Sequence, residues 1–558
     1  MDPSQRKRRW VFCHTMTPVI NSGLAPTLPV RPAFQSQSQT QTPRKLQCSF
    51  VRTGIGRLER LRPDMTEKHS RRRAVSSAES SRASSDARLA TLPLAPDSLA
   101  FALDAAAQAV GAVRAGSALP AALQTVIAAT HVAVSRGATQ DIAYRTLRRL
   151  AVADALLAKL VRKAPPPHVS NVMACAFALL VDDEAEAAYT PFTVVDQAVN
   201  AIAARREFAF AKGLVNAVLR SFLREREALL AEVQSDPVAR FNYPAWWIDA
   251  VKRGHPYEWE NILGAGNRQG PLTLRVNARR MSVAQYLDVL KAENMQAEAA
   301  GIHAVRLKTP MAVDKIPGFA DGVVSVQDAG AQLAAQLLNA RDGMRVLDAC
   351  AAPGGKTGHV LELANVELIA VESDAGRARR IGENLQRLNV HAEIRVGDAG
   401  EPSGWSDGDP FDRILADVPC SASGIVRRHP DIRWLRRPTD VAALVEEQRR
   451  ILSALWPLVA TGGELLYVTC SIFPEEGELQ AQWFGEVHED AVRLDAPGQL
   501  LPTASRTGAA GGQVSPDPVT NSLTDNSGEA QRTRSALTRD AEAFADHDGF
   551  FYARFQKR

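Results

Sequence analysis

Five short runs between Met344 and Cys470 constrain the fold most: MRVLDAC, ELIAVES, AEIRVGD, FDRILADVP and GGELLYVTC. Helix-length segments separate them. Short β-rich runs alternating with amphipathic helices predict an α/β architecture with a doubly wound parallel sheet. A last run, FFYARFQK, alternates in polarity and is expected to close that sheet.

The 558 residues are too many for one core and enough for two or three domains. A composition of 45% hydrophobic and 23% charged residues excludes a fibrous or wholly disordered chain. The longest apolar stretch, Val172 to Val181, stops at Asp182 and Asp183, about half of what crosses a bilayer. Six dispersed cysteines offer neither a disulfide framework nor a paired zinc motif, so a reducing cytoplasmic compartment and no metal are expected.

The formal charge of +4 looks mildly basic but is unevenly placed. Residues 1–94 hold 17 Lys/Arg against 6 Asp/Glu, whereas the rest holds 49 against 56. Rich in Ser, Gln, Pro and Arg, the first 94 residues read as a disordered basic tail, with Met65 a second candidate start. Residues 95–235 carry helical periodicity punctuated by Gly and Pro. Leu147, Leu150, Leu157 and Val161 share one helical face, opposite Arg145, Arg148, Arg149, Lys159 and Lys163, with Asp154 a blemish on the apolar side. Residues 236–325 read as a small α+β connector, with strands at Leu272 to Val276, Ala304 to Leu307 and Gly322 to Val326. The sheet domain takes residues 326–558, interrupted at about 497–547 by a Gly/Ser/Thr/Asp-rich stretch that reads as a disordered insertion.

The first sheet run enters CAAPGGKT, in which Cys350, Ala351, Ala352, Pro353, Gly354, Gly355 and Lys356 form a Gly-rich turn between strand and helix. Such a turn lets backbone amides approach a ligand closely. A P-loop would need glycine at residue 350, which is Cys350. Glu372 ends the second run, where a carboxylate can accept both ribose hydroxyls of a nucleoside, and Asp398 ends the third, suited to an adenine edge. The fourth run ends in Asp417-Val418-Pro419-Cys420 and the fifth in Thr469-Cys470-Ser471. Both thiols should therefore lie near the crevice at the carboxyl edge of the sheet. Either could act as a nucleophile, and the residues alone do not rank them.

VLDACAAPGGKT, DVPCSASG, RRHPDIRW and VTCS resemble the Nop/Sun family of RNA 5-methylcytosine methyltransferases. The helical region, with KGLVNAVLR at Lys212 to Arg220, resembles the NusB-type RNA-binding module. The resemblance implies a Rossmann-like methyltransferase sheet that binds S-adenosyl-L-methionine, and a monomer acting on small-subunit (16S) ribosomal RNA. It also implies Cys470 as nucleophile and Cys420 as the thiol assisting product release, with Asp417 hydrogen-bonding cytosine nitrogen 3 and the exocyclic amine and bordering the cofactor. A tRNA-directed member and a non-catalytic ribosome assembly factor are the alternatives. Glu372 stands where the family commonly has Asp. Arg427, Arg428 and Arg433 are expected to contact RNA, as is the basic helical face. A free thiol is mostly protonated at neutral pH, so a positive helix end or a basic group is expected near the nucleophile.

Overall fold

The computed structural model describes residues 94–130, 134–181, 187–502 and 546–558. The expected disordered tail, save Leu94, and residues 503–545 of the expected insertion lie outside them.

Eight helices are described before the connector: α1 (Leu99–Arg114), α2 (Leu119–Thr130), α3 (Arg136–Arg148), α4 (Leu150–Leu160), α5 (Pro167–Leu180), α6 (Pro191–Ala203), α7 (Lys212–Arg224) and α8 (Arg226–Val233). α1 and α5, rich in Ala and Val, are buried almost all round and form the centre of this bundle. The face expected on one continuous helix is split at Arg149 between α3 and α4. Asp154 then leaves the apolar side to pair with Arg114. The basic face is turned inward only in part, with Lys163 exposed. Arg145 pairs with Asp141 and Lys159 with Glu232, while Arg148 and Arg149 donate to the carbonyls of Arg427 and Ala178.

Three helices, α9 (Pro237–Phe241), α10 (Ala245–Gly254) and α11 (Trp259–Gly266), lead to an antiparallel sheet of order β2-β3-β1-β4. Its strands are β1 (Leu272–Val276), β2 (Ala297–Ala299), β3 (Ala304–Leu307) and β4 (Val324–Val326), with α12 (Val283–Ala292) between β1 and β2. Ser282 and Gln285 close a capping box on α12, and Tyr286 and Leu290 bury its apolar side.

After α13 (Ala329–Leu338) come β5 (Arg345–Ala349), α14 (Gly355–Leu363), β6 (Glu367–Glu372), α15 (Ala375–Leu388), β7 (Glu393–Val396), β8 (Phe411–Asp417), α16 (Ile432–Leu435), α17 (Pro438–Leu455), β9 (Val459–Thr469), α18 (Glu478–Val487), β10 (Ala491–Leu500) and β11 (Phe550–Lys557). The sheet order is β10-β11-β9-β8-β5-β6-β7. Strands β5 to β9 run parallel, and β11 pairs antiparallel with β9 and β10. This is the Rossmann-like methyltransferase architecture expected, with the closing strand in place. α15 shows how the sequence writes it: Asp374 caps its start, Ala378, Ile381, Leu385 and Leu388 bury one stripe, and Asn389 ends it in the left-handed region.

The expected insertion is corrected at both ends. Residues 497–500 belong to β10, and Asp546 to Gly549 are held against the site by the contacts described below. β10 is an edge strand with Pro497, Gly498 and an irregular register between Leu494 and Gly498, so its periodicity is broken.

Chain order reverses at β5, with β6 on one side and β8 on the other. A crevice therefore opens outside the carboxyl ends of β5 and β8.

Candidate active site

The turn after β5 is fastened from three sides. Ala351 N donates to Val371 O on β6 at 2.9 Å, Arg377 Nη2 to Ala352 O at 3.2 Å, and Asn384 Nδ2 to Gly354 O at 3.2 Å. Ala352 and Pro353 are joined by a cis peptide. Gly354 adopts φ 88°, and a Cβ there would meet Ile381 at 3.1 Å, so both conformation and space call for glycine. Gly355 begins α14, whose first turn faces the crevice with amide donors that no helical carbonyl can take. Lys356 does not behave as a phosphate lysine: its Nζ donates to Asp417 Oδ2 at 2.6 Å.

Carboxylates outnumber cations here. Glu372 is buried at the end of β6, where Oε1 accepts from Asp374 N at 3.1 Å and Oε2 lies 3.2 Å from Arg377 without a hydrogen bond. Asp348 accepts from Thr357 Oγ1 at 2.6 Å through one oxygen, and its other oxygen is buried without a partner. Burial pushes the Asp348 carboxyl up to about 7, and the charges of Asp417 and Glu372 add to the rise. Asp398, expected at an adenine edge, is half-exposed and accepts from Arg450 Nη2 at 2.8 Å and from Gly400 N at 2.8 Å.

Cys420 and Cys470 are both buried, with sulfurs 3.4 Å apart. Cys420 follows β8 and Cys470 follows β9, neighbours in the sheet, so the two loops meet at the carboxyl edge where Asp417 ends β8. Gly424 N donates to Cys470 O at 2.9 Å and Gly549 N to Gly424 O at 2.9 Å, which sutures the start of β11 to both loops. A Cβ on Gly424 would lie 2.2 Å from Gly549 O, so this approach exists only because both residues are glycine. The hydrogen bond with Cys420, together with burial, pushes the Cys470 thiol well above its ordinary value, and Lys356 acts in the opposite direction. Of the two features expected near the nucleophile, a basic group is present as Lys356, whose charge opposes the rise of the Cys470 thiol.

The arginines after the Pro-Cys motif are corrected. Arg427 is buried against Asp546 and Asp548, and Arg428 pairs with Asp548 and with Asp328 at 2.8 Å. Arg433 is fully buried, donates to Gly266 O at 2.6 Å and lies 3.8 Å above the Tyr243 ring. Neighbouring residues join the helical bundle: Asp431 accepts from Leu119 N at 2.8 Å, and Trp434 Nε1 donates to Leu147 O at 2.8 Å. The RRHPDIRW segment is thus an internal seam, not an RNA-facing surface.

Among the described residues no helix is long and apolar enough to cross a membrane, and no metal-binding cluster is found.

A family model described as 16S rRNA methyltransferase RsmB/F matches residues 335–556, and one described as an RsmF/B-like ferredoxin-like domain matches residues 243–314. The ribosomal RNA small subunit methyltransferase B of Pseudomonas syringae pv. tomato is 42% identical over 403 residues, covering 71% of this chain and 89% of the relative. The protein of the same name from Yersinia enterocolitica is 42% identical over 350 residues, covering 62% of this chain and 73% of the relative. The crystal structure of PH0851 shares the fold, with a TM-score of 0.60 and 22% identity, over 83% of this chain and 99% of that one.

Proposed function

From the premise that this chain belongs to the 16S rRNA methyltransferase RsmB/F family, we propose that it methylates carbon 5 of a cytosine in small-subunit ribosomal RNA through a covalent cysteine adduct. The observation that carries this reading is the pair of buried thiols 3.4 Å apart at the carboxyl edge of the sheet, where Asp417 ends β8. The cytoplasm, where ribosomal RNA is modified in bacteria, is the corresponding compartment.

The crevice fits S-adenosylmethionine, which when bound supplies an electrophilic methyl group. The buried unpartnered oxygen of Asp348, and Glu372 Oε2, which takes no hydrogen bond but is ion-paired to Arg377, offer acceptors to a cationic nucleoside derivative, and α14 begins at Gly355 beside them in the chain. Glu372 would take the ribose hydroxyls, and the turn from Cys350 to Lys356 would line the methionine side.

Carbon 5 of cytosine is a poor nucleophile. A Cys470 thiolate that adds to carbon 6 would deliver an electron pair through the ring to carbon 5, which would take the methyl group as the sulfonium–methyl bond breaks and its pair stays on the departing thioether. Asp417, held by Lys356, would accept from the exocyclic amine and orient the ring. Transfer of the carbon 5 proton to water then lets its bonding pair restore the carbon 5–carbon 6 double bond as the sulfur–carbon 6 bond breaks, returning that pair to Cys470. Cys420, within proton-exchange distance of Cys470, would assist that release.

Incubating the protein with methyl-labelled S-adenosylmethionine and small-subunit ribosomal RNA should place label on RNA at a bisulfite-resistant cytosine. Label absent, or present at another base, refutes the proposal.

Lys356 gives a pH prediction. Removing this cation leaves Asp417 unpaired and takes away the charge that favours thiolate at Cys470, so the thiol titrates at higher pH. Lys356→Met should lower kcat at pH 7.5 by about 100-fold and move the rising limb of the pH–rate profile to more alkaline values. An unshifted limb would show that Lys356 does not tune the thiol.

A further inference from the structure

Four side chains unused in the chemistry above form a buried chain behind the two thiols. Ser421 Oγ donates to Ser423 Oγ at 3.0 Å, Ser423 and Ser471 Oγ lie 2.9 Å apart, and Ser471 Oγ donates to Glu476 Oε2 at 2.7 Å. Glu476 Oε1 accepts from Ser421 N at 2.7 Å and from Gln448 Nε2 at 3.1 Å. Glu476 is fully buried, in a short turn after β9.

The pattern has a direction. An ionised carboxylate only accepts, so the Ser471 hydrogen points to Glu476, the Ser423 hydrogen to Ser471, and the Ser421 hydrogen to Ser423. The hydroxyl oxygens then take backbone donors: Ile472 N reaches Ser423 Oγ at 2.9 Å and Phe473 N reaches Ser471 Oγ at 3.0 Å. Ser421 adjoins Cys420 and Ser471 adjoins Cys470. One carboxylate therefore ends a network that crosses between the two cysteine loops four times: by Ser421 N, by Ser421 Oγ to Ser471 Oγ at 3.3 Å, by Ser423 to Ser471, and by Ser423 to Ile472 N.

We infer that Glu476 is a positioning residue for the covalent step, holding the Cys420 loop against the Cys470 loop through Ser471, Ser423 and the Ser421 amide. The inference rests on the covalent mechanism proposed above, and its test separates the two. Glutamine has nearly the same shape but presents an amide donor where Ser471 needs an acceptor. It must invert the hydroxyl chain or leave a donor unpaired.

In the full-length Glu476→Gln protein, kcat per S-adenosylmethionine-binding site should fall about 10- to 100-fold, the loss expected from a misplaced catalytic group. KM for S-adenosylmethionine should stay within about twofold, because none of these four side chains hydrogen-bonds to the turn from Cys350 to Lys356 or to Glu372. Ser423→Ala, which cuts the middle of the chain, should give the same split at smaller size. Sulfur proximity can be read without catalysis from oxidation by diamide: the two thiols lose two protons and two electrons to form a disulfide, and diamide becomes its hydrazine. That rate should fall about tenfold in Glu476→Gln. An unchanged kcat, or an unchanged diamide rate, overturns the inference. RNA carrying 5-fluorocytidine, which cannot lose fluorine from carbon 5, should trap the wild-type protein. Failure to trap it refutes the covalent mechanism, while the diamide rates still decide the role of Glu476.

Discussion

Replacing Cys470 by alanine should reduce methyl transfer by at least about 10⁴-fold and leave no protein–RNA adduct, whereas Cys420→Ala should accumulate one. The first expectation follows from the chemistry of carbon 5: without a sulfur bond at carbon 6 there is no electron pair to meet the methyl group, and removing a covalent nucleophile costs about this much. The second follows from the 3.4 Å separation of the sulfurs. A Cys420 thiol can exchange protons with the group that must depart, so its loss slows release more than attack. Gel electrophoresis under denaturing conditions separates the outcomes, since only a covalent adduct survives. If Cys470→Ala traps RNA and Cys420→Ala does not, the roles are reversed. Such a reversal is chemically open, because both thiols are buried side by side at the same carboxyl edge.

The residues that announce themselves in the sequence are those at strand ends. Parallel strands at the centre of a sheet are built from local apolar runs, so the residue after each run falls at the carboxyl edge whatever the connections do. That rule located the turn from Cys350, Glu372, Asp417 and both cysteines before any contact was known. β10 escaped because an edge strand tolerates Pro497 and Gly498 and buries little, which leaves no pattern. Glu476 escaped for a different reason. Its importance lies in Ser421, 55 residues away, and a glutamate in the run Glu475-Glu476 reads as exposed. The serines repeated just beyond each cysteine (Ser421 and Ser423 after one, Ser471 after the other) were the available signal. The arginines misled because charge runs near a site suggest phosphate, while their acidic partners Asp546 and Asp548 stand about 120 residues later.

Those partners make the next-largest effect one of stability. Arg427→Met should destabilise the fold by about 3–5 kcal/mol, the cost of removing one side of a buried ion pair. Asp548 is fully buried, accepts from both Arg427 and Arg428, and its backbone amide donates to Asp328 at 3.1 Å. Burial alone would raise the Asp548 carboxyl, but Arg428 and Arg427 outweigh it and hold it below its ordinary value. A carboxyl lowered by folding contributes stability that is complete above its unfolded value near 3.8 and is lost as pH falls through the folded one. Without Arg427, the Asp548 carboxyl titrates at higher pH than in the wild type. The variant's deficit should therefore be full at pH 7 and shrink on acidification, as its carboxyl takes up a proton before that of the wild type. Urea unfolding at pH 7 and at successively lower pH measures both the deficit and its decline. If Arg427 instead bound phosphate, the unfolding midpoint would stay put, and the salt dependence of RNA affinity would lose about one unit of slope. The two outcomes are opposite in kind, so one variant decides whether this arginine holds the C-terminal strand to the site or reaches for the substrate.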